Sequence, residues 1–166
     1  MISRRNVLKF GLLAAAPVVL PGGCYRTTIK SGWQPLAGKE YMTRRGLSFW
    51  WIHGTILYPT PEIAAEEIDR IYVEWNAWYT VTYNDQQPWQ LLSRTLAVDI
   101  QTMPWPRIPG NDDNAFTLGI YWETHKQIDV AMRAAYHWDP TIGQYTRGLE
   151  VLKHEWTHVI RGNFHG

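Results

Sequence analysis

The chain has 166 residues, and its 16 basic residues nearly balance its 15 acidic residues. This balance, without any basic run, excludes the usual electrostatic signature of a nucleic-acid-binding protein. Cys24 is the only cysteine, which excludes an intramolecular disulfide. The length fits one domain with one hydrophobic core.

The first 23 residues have the pattern of an export signal. Arg4 and Arg5 precede an apolar stretch from Phe10 to Leu20, and this arrangement resembles the twin-arginine signal of bacteria. The apolar stretch is too short to cross a bilayer as a helix, which takes roughly 20 residues. The resemblance implies a protein that crosses the bacterial inner membrane and acts on its periplasmic side.

Cys24 follows Pro21-Gly22-Gly23, an arrangement that resembles a lipobox. Lipidation of Cys24 would attach the mature protein to the membrane and would consume a solitary thiol, which is a liability outside the cytoplasm. Ordinary signal cleavage nearby is the alternative. Residues 24–46 show little periodicity, and we predict that they form a tether between the membrane and a domain at 47–166.

Local patterns predict the first elements of this domain. The apolar run Leu47–Ile52 indicates a strand. A helix is predicted next, because Thr60 is a suitable N-cap and Pro61 suits the first helical position. Apolar residues then recur at spacings of three and four through Tyr79, so one face of this helix should be buried.

Strands are predicted in the following part of the chain. Thr95–Gln101 alternates as a strand does, and Ala115–Trp122 and Gln127–Met132 flank a short polar turn, which is typical of a hairpin. Asp112 and Asp113 precede the hairpin and are interpreted as part of a solvated loop. Two acids without the spaced ligands of a calcium loop are weak evidence for Ca²⁺.

Ten tryptophans and nine tyrosines make the sequence rich in aromatic residues. In a small domain such side chains most simply fill the core, since aromatic rings dominate buried area. The alternative is an exposed aromatic surface that stacks on sugars or peptide side chains.

The strongest chemical signal lies at His154-Glu155-Trp156-Thr157-His158, which reads H-E-x-x-H. On a helix, positions i and i+4 share one face, so both imidazoles can bind one ion. Glu155 lies about 100° round the helix from His154, where it can act as a general base on a water held by that ion. This arrangement predicts a zinc hydrolase site.

The motif resembles that of the zincin metallopeptidases. Gly162 and His165 are similar to the continuation of the metzincin pattern, although one extra residue separates His158 from the glycine and no methionine turn follows. The resemblance implies an α+β fold, with a mixed or antiparallel sheet, a backing helix and an active-site helix near the end of the sequence. It also implies Zn²⁺ as the cofactor.

The third zinc ligand is expected to be His165. Gly162 can adopt the left-handed conformation that ends a helix, and the reversed chain could then return His165 to the ion. A catalytic zinc site needs three protein ligands, which is why a third donor is sought. The rival donors are His53, His125 and His137.

We therefore predict an envelope metallopeptidase that acts on peptides or proteins. Candidate donors for the oxyanion are Tyr136, His137, Tyr145 and Arg161. Two other classes remain open. One is a non-catalytic envelope lipoprotein with a structural metal site, and the other is an aromatic-rich module that binds peptidoglycan or another glycan. The sequence does not indicate an oligomeric state.

Overall fold

The computed structural model describes residues 36–84, 88–104, 108–109, 116–133, 137–140 and 142–162. The predicted export signal, Cys24, Asp112, Asp113 and His165 lie outside these ranges. Among the helices of the described ranges, none combines the length and the apolar character that crossing a bilayer requires.

The elements follow one another in a mixed order of strands and helices. They are β1 (Lys39–Met42), β2 (Ser48–Trp51), α1 (Pro61–Tyr83), α2 (Pro88–Thr95), β3 (Asp99–Met103), β4 (Ile108–Pro109), β5 (Phe116–Thr117), β6 (Gly119–Trp122), β7 (Gln127–Ala131), β8 (His137–Asp139), β9 (Gln144–Thr146), a 3₁₀ turn (Gly148–Val151) and α3 (Leu152–Arg161).

The main sheet has five strands in the order β1-β2-β3-β7-β6. Its three central strands, β2, β3 and β7, are parallel, and the two edge strands are antiparallel to their neighbours. Two-stranded antiparallel ladders join β4 to β5 and β8 to β9. The predicted α+β class is therefore confirmed, with a mixed sheet, α1 as a long helix and α3 as the helix of the H-E-x-x-H motif.

Helix α1 begins where the sequence predicts. Thr60 is the N-cap, its Oγ1 accepting the N–H of Ile63 at 3.4 Å, and Pro61 is the first helical residue. The helix continues one turn beyond Tyr79 and ends before Asn84, whose φ of 52° is left-handed. Its buried residues are Ala64, Ile68, Ile71, Tyr72, Trp75 and Tyr79.

Aromatic side chains fill the core between the sheet and the helices. The ring centroids of Trp75 and Trp156 lie 5.5 Å apart, and those of Trp156 and Tyr72 lie 5.3 Å apart. The indole N–H of Trp75 donates to Thr157 Oγ1 at 3.0 Å, so this buried polar group is satisfied. The prediction that aromatic residues fill the core is confirmed for these residues.

The predicted boundary between tether and domain at residue 46 is wrong. Strand β1 lies within the segment assigned to the tether and pairs with β2, with Lys39 opposite Trp51 and Met42 opposite Ser48. The Tyr41 ring also stacks on Phe49, with centroids 5.8 Å apart. A four-residue edge strand has too little periodicity to be recognised without its partner.

The predicted strand Thr95–Gln101 is wrong at its start. Thr95 ends helix α2, where its hydroxyl donates to the carbonyl of Leu91 at 3.0 Å, and β3 begins only at Asp99. The short helix was missed because eight residues give few turns of periodicity. The predicted hairpin is confirmed as β6 and β7, although Phe116–Thr117 forms the separate strand β5.

The sheet face opposite the aromatic core carries a buried carboxylate. Ile128 and Val130 belong to the core, so alternation places Asp129 on the other face of β7. Asp129 accepts hydrogen bonds from Trp122 Nε1 at 2.8 Å and from Gln127 Nε2 at 2.5 Å. Burial outweighs these hydrogen bonds and raises the pKa of Asp129 to about 6.

Asp129 should therefore make the protein less stable as the pH rises. The folded state holds the Asp129 proton more tightly than the unfolded state, so the free energy of unfolding should fall between about pH 4 and pH 6. The expected difference is on the order of 2–3 kcal/mol. Urea unfolding of wild type and Asp129→Asn across this range isolates the effect, because the variant lacks the titrating group. Parallel pH profiles for the two proteins would contradict this assignment.

Candidate metal centre on helix α3

Helix α3 carries the H-E-x-x-H motif and has defined ends. It begins at Leu152, directly after the 3₁₀ turn, and ends at Arg161. Gly148 lies in that turn with φ +58°, and a Cβ there would come within 2.8 Å of Tyr58 Oη. This close approach and the left-handed φ both favour glycine at position 148, and the α-helix begins only after it.

Gly162 ends the helix as predicted. Its φ is +69°, and its N–H donates to the carbonyl of His158 at 2.8 Å. Its ψ of −144° differs from that of the left-handed helical conformation, and the chain after Gly162 lies outside the described residues, so the predicted reversal stays a prediction. His165 lies outside the described residues, so its assignment as the third ligand stays a prediction.

The two motif histidines face each other on one side of α3. Their Nε2 atoms lie 3.1 Å apart and their ring centroids 4.9 Å apart. Two nitrogens bound to one tetrahedral Zn²⁺ at 2.0–2.1 Å lie about 3.3 Å from each other. The observed separation therefore fits two imidazoles that share one cation, or one proton when no cation is bound.

The Nδ1 atom of each ring is hydrogen-bonded to an oxygen atom. His154 Nδ1 lies 2.8 Å from Asp139 Oδ2, and His158 Nδ1 lies 2.9 Å from the carbonyl oxygen of Gly162. A carbonyl oxygen only accepts, so Nδ1 of His158 carries the proton, and the same tautomer suits His154 beside a carboxylate. Both Nε2 lone pairs are thus directed to the same place, as metal-ligating histidines require.

Asp139 also changes the protonation of His154. Burial lowers the pKa of His154, but the hydrogen bond to Asp139 and the charges of Glu155 and Asp139 outweigh it, so the net shift is upward. A cation that binds here must displace a proton, and its affinity should therefore fall at low pH.

Glu155 lies on the side of α3 that packs against the edge strand β6. Its side chain is 4% exposed, and its carboxylate accepts a hydrogen bond from the backbone N–H of Tyr121. Burial raises the pKa of Glu155 to about 7 against the opposing effects of His154 and the Tyr121 N–H, while Asp139 and Asp129 add to the rise. A carboxyl group with this pKa exchanges protons readily near neutral pH.

Two of the rival histidines, His53 and His125, are exposed and do not group with the motif histidines. His53 is exposed after β2, with its Nδ1 2.6 Å from the carbonyl oxygen of Gly54, and His125 is exposed in the turn between β6 and β7. His137 is in β8, but its side chain is outside the described part. Within the described ranges, no group of three or more His, Cys, Asp or Glu side chains is placed to hold a metal ion. The residues described supply two imidazole ligands and an orienting carboxylate.

Two oxyanion candidates have other contacts. The guanidinium of Arg161 lies over the ring of Tyr83, 4.2 Å from its centroid. Tyr145 is half exposed and packs edge-on against Trp138, with ring centroids 5.1 Å apart. Tyr136 lies outside the described residues. The described contacts of Arg161 and Tyr145 therefore single out neither as an oxyanion donor, and the candidacy of Tyr136 and His137 stays a prediction.

Sequence reasoning missed Asp139 and Gly119 as residues that contact the motif. Asp139 reaches His154 only because β8 pairs with β9, which brings residue 139 next to α3. Gly119 is adjacent to Glu155 because β6 packs against α3. An acid two positions after His137 was the only local signal, and it does not reveal a contact fifteen residues away.

Comparison with known proteins finds no relative of this chain. No protein family, curated protein or solved structure matches the chain.

Replacing Asp139 should weaken metal binding without removing a ligand. Asp139→Asn loses the carboxylate that orients His154, so the affinity for Zn²⁺ should fall about 10- to 100-fold. Competition with a chromophoric chelator measures this affinity. Glu123→Gln, which neutralises an exposed acid in the turn after β6, is the matched control and should change nothing. Equal affinities for Asp139→Asn and the control would contradict the role assigned to Asp139.

Proposed function

We propose that the protein is a zinc-dependent hydrolase, and specifically a metallopeptidase that cleaves peptide bonds in the bacterial cell envelope. One observation supports this above the others: the Nε2 atoms of His154 and His158 face each other at 3.1 Å on one side of α3. Glu155 follows His154 on the same helix, and its charge helps to raise the pKa of that imidazole. Metal-assisted hydrolysis requires metal ligands that converge on one position and a general base beside them.

Each residue has a separate role in the proposed reaction. His154 and His158 would hold the ion, and Asp139 and the carbonyl of Gly162 fix the tautomer and direction of the two rings. The chemistry that a bound Zn²⁺ supplies is Lewis acidity, which polarises a carbonyl group and acidifies water. His165 remains the proposed third ligand.

Glu155 is the group that transfers a proton from the attacking water to the departing amine. As a carboxylate it accepts a proton from the attacking water, and as a carboxylic acid it donates that proton to the departing amine. Burial raises the pKa of Glu155 to about 7, and a cation held by the two histidines would lower it toward the carboxylate form that accepts the proton. The low exposure of Glu155 also keeps bulk water from competing for this proton.

The position of β6 favours a peptide as the substrate. This strand is the sheet edge that packs against α3, and its Tyr121 N–H contacts the proposed general base. An extended peptide can add to an edge strand through backbone hydrogen bonds, which would bring a scissile bond close to α3. The envelope location rests on the predicted twin-arginine signal and on lipidation of Cys24, which the described residues do not test.

A structural metal site and a glycan-binding module are the two alternatives, and a different feature distinguishes each of them from a peptidase. A structural metal site would use His154 and His158 in the same way but would not need Glu155 as a base. A glycan-binding module would need clustered exposed aromatic rings. Among the described residues, Trp75 and Trp156 are buried in the core and Trp89, 68% exposed, lies on α2, while Trp138 and Tyr145, 51% and 55% exposed, form one exposed pair of rings on the β8–β9 ladder. A single pair offers only a small surface for stacking on a glycan. The peptidase is therefore the better supported proposal.

Metal analysis of single-histidine variants tests the proposal. Purified wild type should contain about one equivalent of zinc, and His154→Ala and His158→Ala should lose it, since each removes a ligand. His165→Ala tests the third ligand, and His125→Ala is the control, because this exposed histidine lies in the turn after β6. Unchanged metal content in all three ligand variants would eliminate the zinc site.

Replacing the general base separates an enzyme from a structural metal site. Glu155→Gln should retain the metal, because Glu155 is not a ligand, and should reduce peptide cleavage about 100-fold or more. A peptide library analysed by mass spectrometry before and after incubation measures cleavage. If wild type cleaves peptides and Glu155→Gln cleaves them equally fast, the catalytic proposal fails while a structural zinc site remains.

A further inference from the structure

Strand β6 approaches α3 so closely at Gly119 that a side chain has no room there. A Cβ at position 119 would lie 2.6 Å from Val151 Cγ1 and 2.7 Å from Glu155 Oε1. Real Cβ atoms essentially never come within 3.0 Å of another heavy atom, so one of these groups would have to move. The absent side chain therefore allows the Glu155 carboxylate to lie directly against the strand.

A hydrogen-bond donor, the backbone N–H of Tyr121, lies two residues after Gly119 on the same strand. The N–H of Ala131 donates to the carbonyl of Leu118, so the backbone groups of residue 118 point toward β7. Antiparallel pairing alternates this direction, which leaves the N–H of Tyr121 on the outer side of β6. The Glu155 carboxylate accepts that N–H. The Tyr121 N–H at the edge of the sheet is thus hydrogen-bonded to the Glu155 side chain of α3 and not to another strand.

We propose that Gly119 and the Tyr121 N–H together form a seat that positions Glu155 for catalysis. The inference rests on the proposed function, in which Glu155 is the general base. Gly119 and Tyr121 are positioning residues: Gly119 leaves the space that the carboxylate occupies, and the Tyr121 N–H fixes its orientation. The reactivity of Glu155 then depends on the backbone of the edge strand as well as on helix α3.

The seat is more restrictive than ordinary packing. The Glu155 side chain has several rotatable bonds and can avoid a new methyl group at position 119 only by moving its carboxylate. That movement would break the hydrogen bond to the Tyr121 N–H. A displacement of about 1 Å at a catalytic group can lower the rate about 100-fold. The clash with Val151, by contrast, would perturb packing without changing the direction of the base.

Gly119→Ala tests the seat, and Gly119→Ala/Val151→Ala separates its two contacts. The double variant removes the Val151 methyl group that the new Cβ would meet but leaves Glu155 in place. Ile120→Val is the matched control, because it changes packing on the opposite face of β6. The three measurements are the exchange rate of the Tyr121 amide hydrogen, the zinc content, and kcat and KM for a cleaved peptide.

In Gly119→Ala the Tyr121 amide should exchange at least about tenfold faster, because it loses its acceptor. Zinc content should stay at the wild-type level, and kcat should fall about 10- to 100-fold with KM nearly unchanged. The double variant should keep the low kcat, whereas Ile120→Val should match wild type. In a Glu155→Gln background, Gly119→Ala should cause no further loss of rate.

Full recovery of kcat in the double variant would overturn the proposal, because the loss would then come from the Val151 contact. The proposal would also be overturned if the Tyr121 amide hydrogen of Gly119→Ala exchanged at the wild-type rate. The exchange measurement does not depend on turnover. If wild type cleaves no peptide, the proposed function fails, and Tyr121 exchange still decides whether Gly119 and Tyr121 hold the Glu155 carboxylate.

Discussion

The packing of Trp156 against Trp75 fixes the helix on which the proposed chemistry depends. Thr157 accepts the indole N–H of Trp75, and Lys153, 7% exposed, pairs with Glu74 of α1 at 2.9 Å. These contacts set the rotation of α3 about its axis. Each residue along a helix turns by about 100°, so a shift of one residue would direct the motif histidines away from Asp139 and Glu155 away from β6.

Much of the chemistry of the site is local in sequence and could be predicted. The i,i+4 spacing places His154 and His158 together, and Gly162 ends the helix just after them, because both properties follow from helix geometry alone. The Thr60 cap is local in the same sense. The contacts of Asp139 and Gly119 with α3 could not be predicted, since they depend on strand pairing between segments far apart in the chain. Strand β1 was missed for the same reason.

Two buried carboxyl groups lie on opposite faces of the edge region of the sheet. Glu155 is on the side of α3 and Asp129 is on the other, and the charge of Asp129 adds to the effect of burial in raising the pKa of Glu155. A fold selected for stability alone would have little reason to bury both. A cation held by His154 and His158 would offset part of this cost, because a positive charge nearby favours the carboxylate form. Binding of an ion and folding should therefore be thermodynamically coupled.

The contact between Glu155 and Tyr121 has a consequence for the solution behaviour of the protein. An edge strand offers unpaired backbone groups to any other chain, and folded proteins commonly protect such edges with inward-pointing charged residues. Glu155 occupies the Tyr121 N–H in the middle of β6, so a short substrate segment can pair only with the backbone groups beside Tyr121, and a whole strand of a second molecule would meet the carboxylate. The same acid that is proposed to activate water thus also discourages sheet-to-sheet association between copies of the protein.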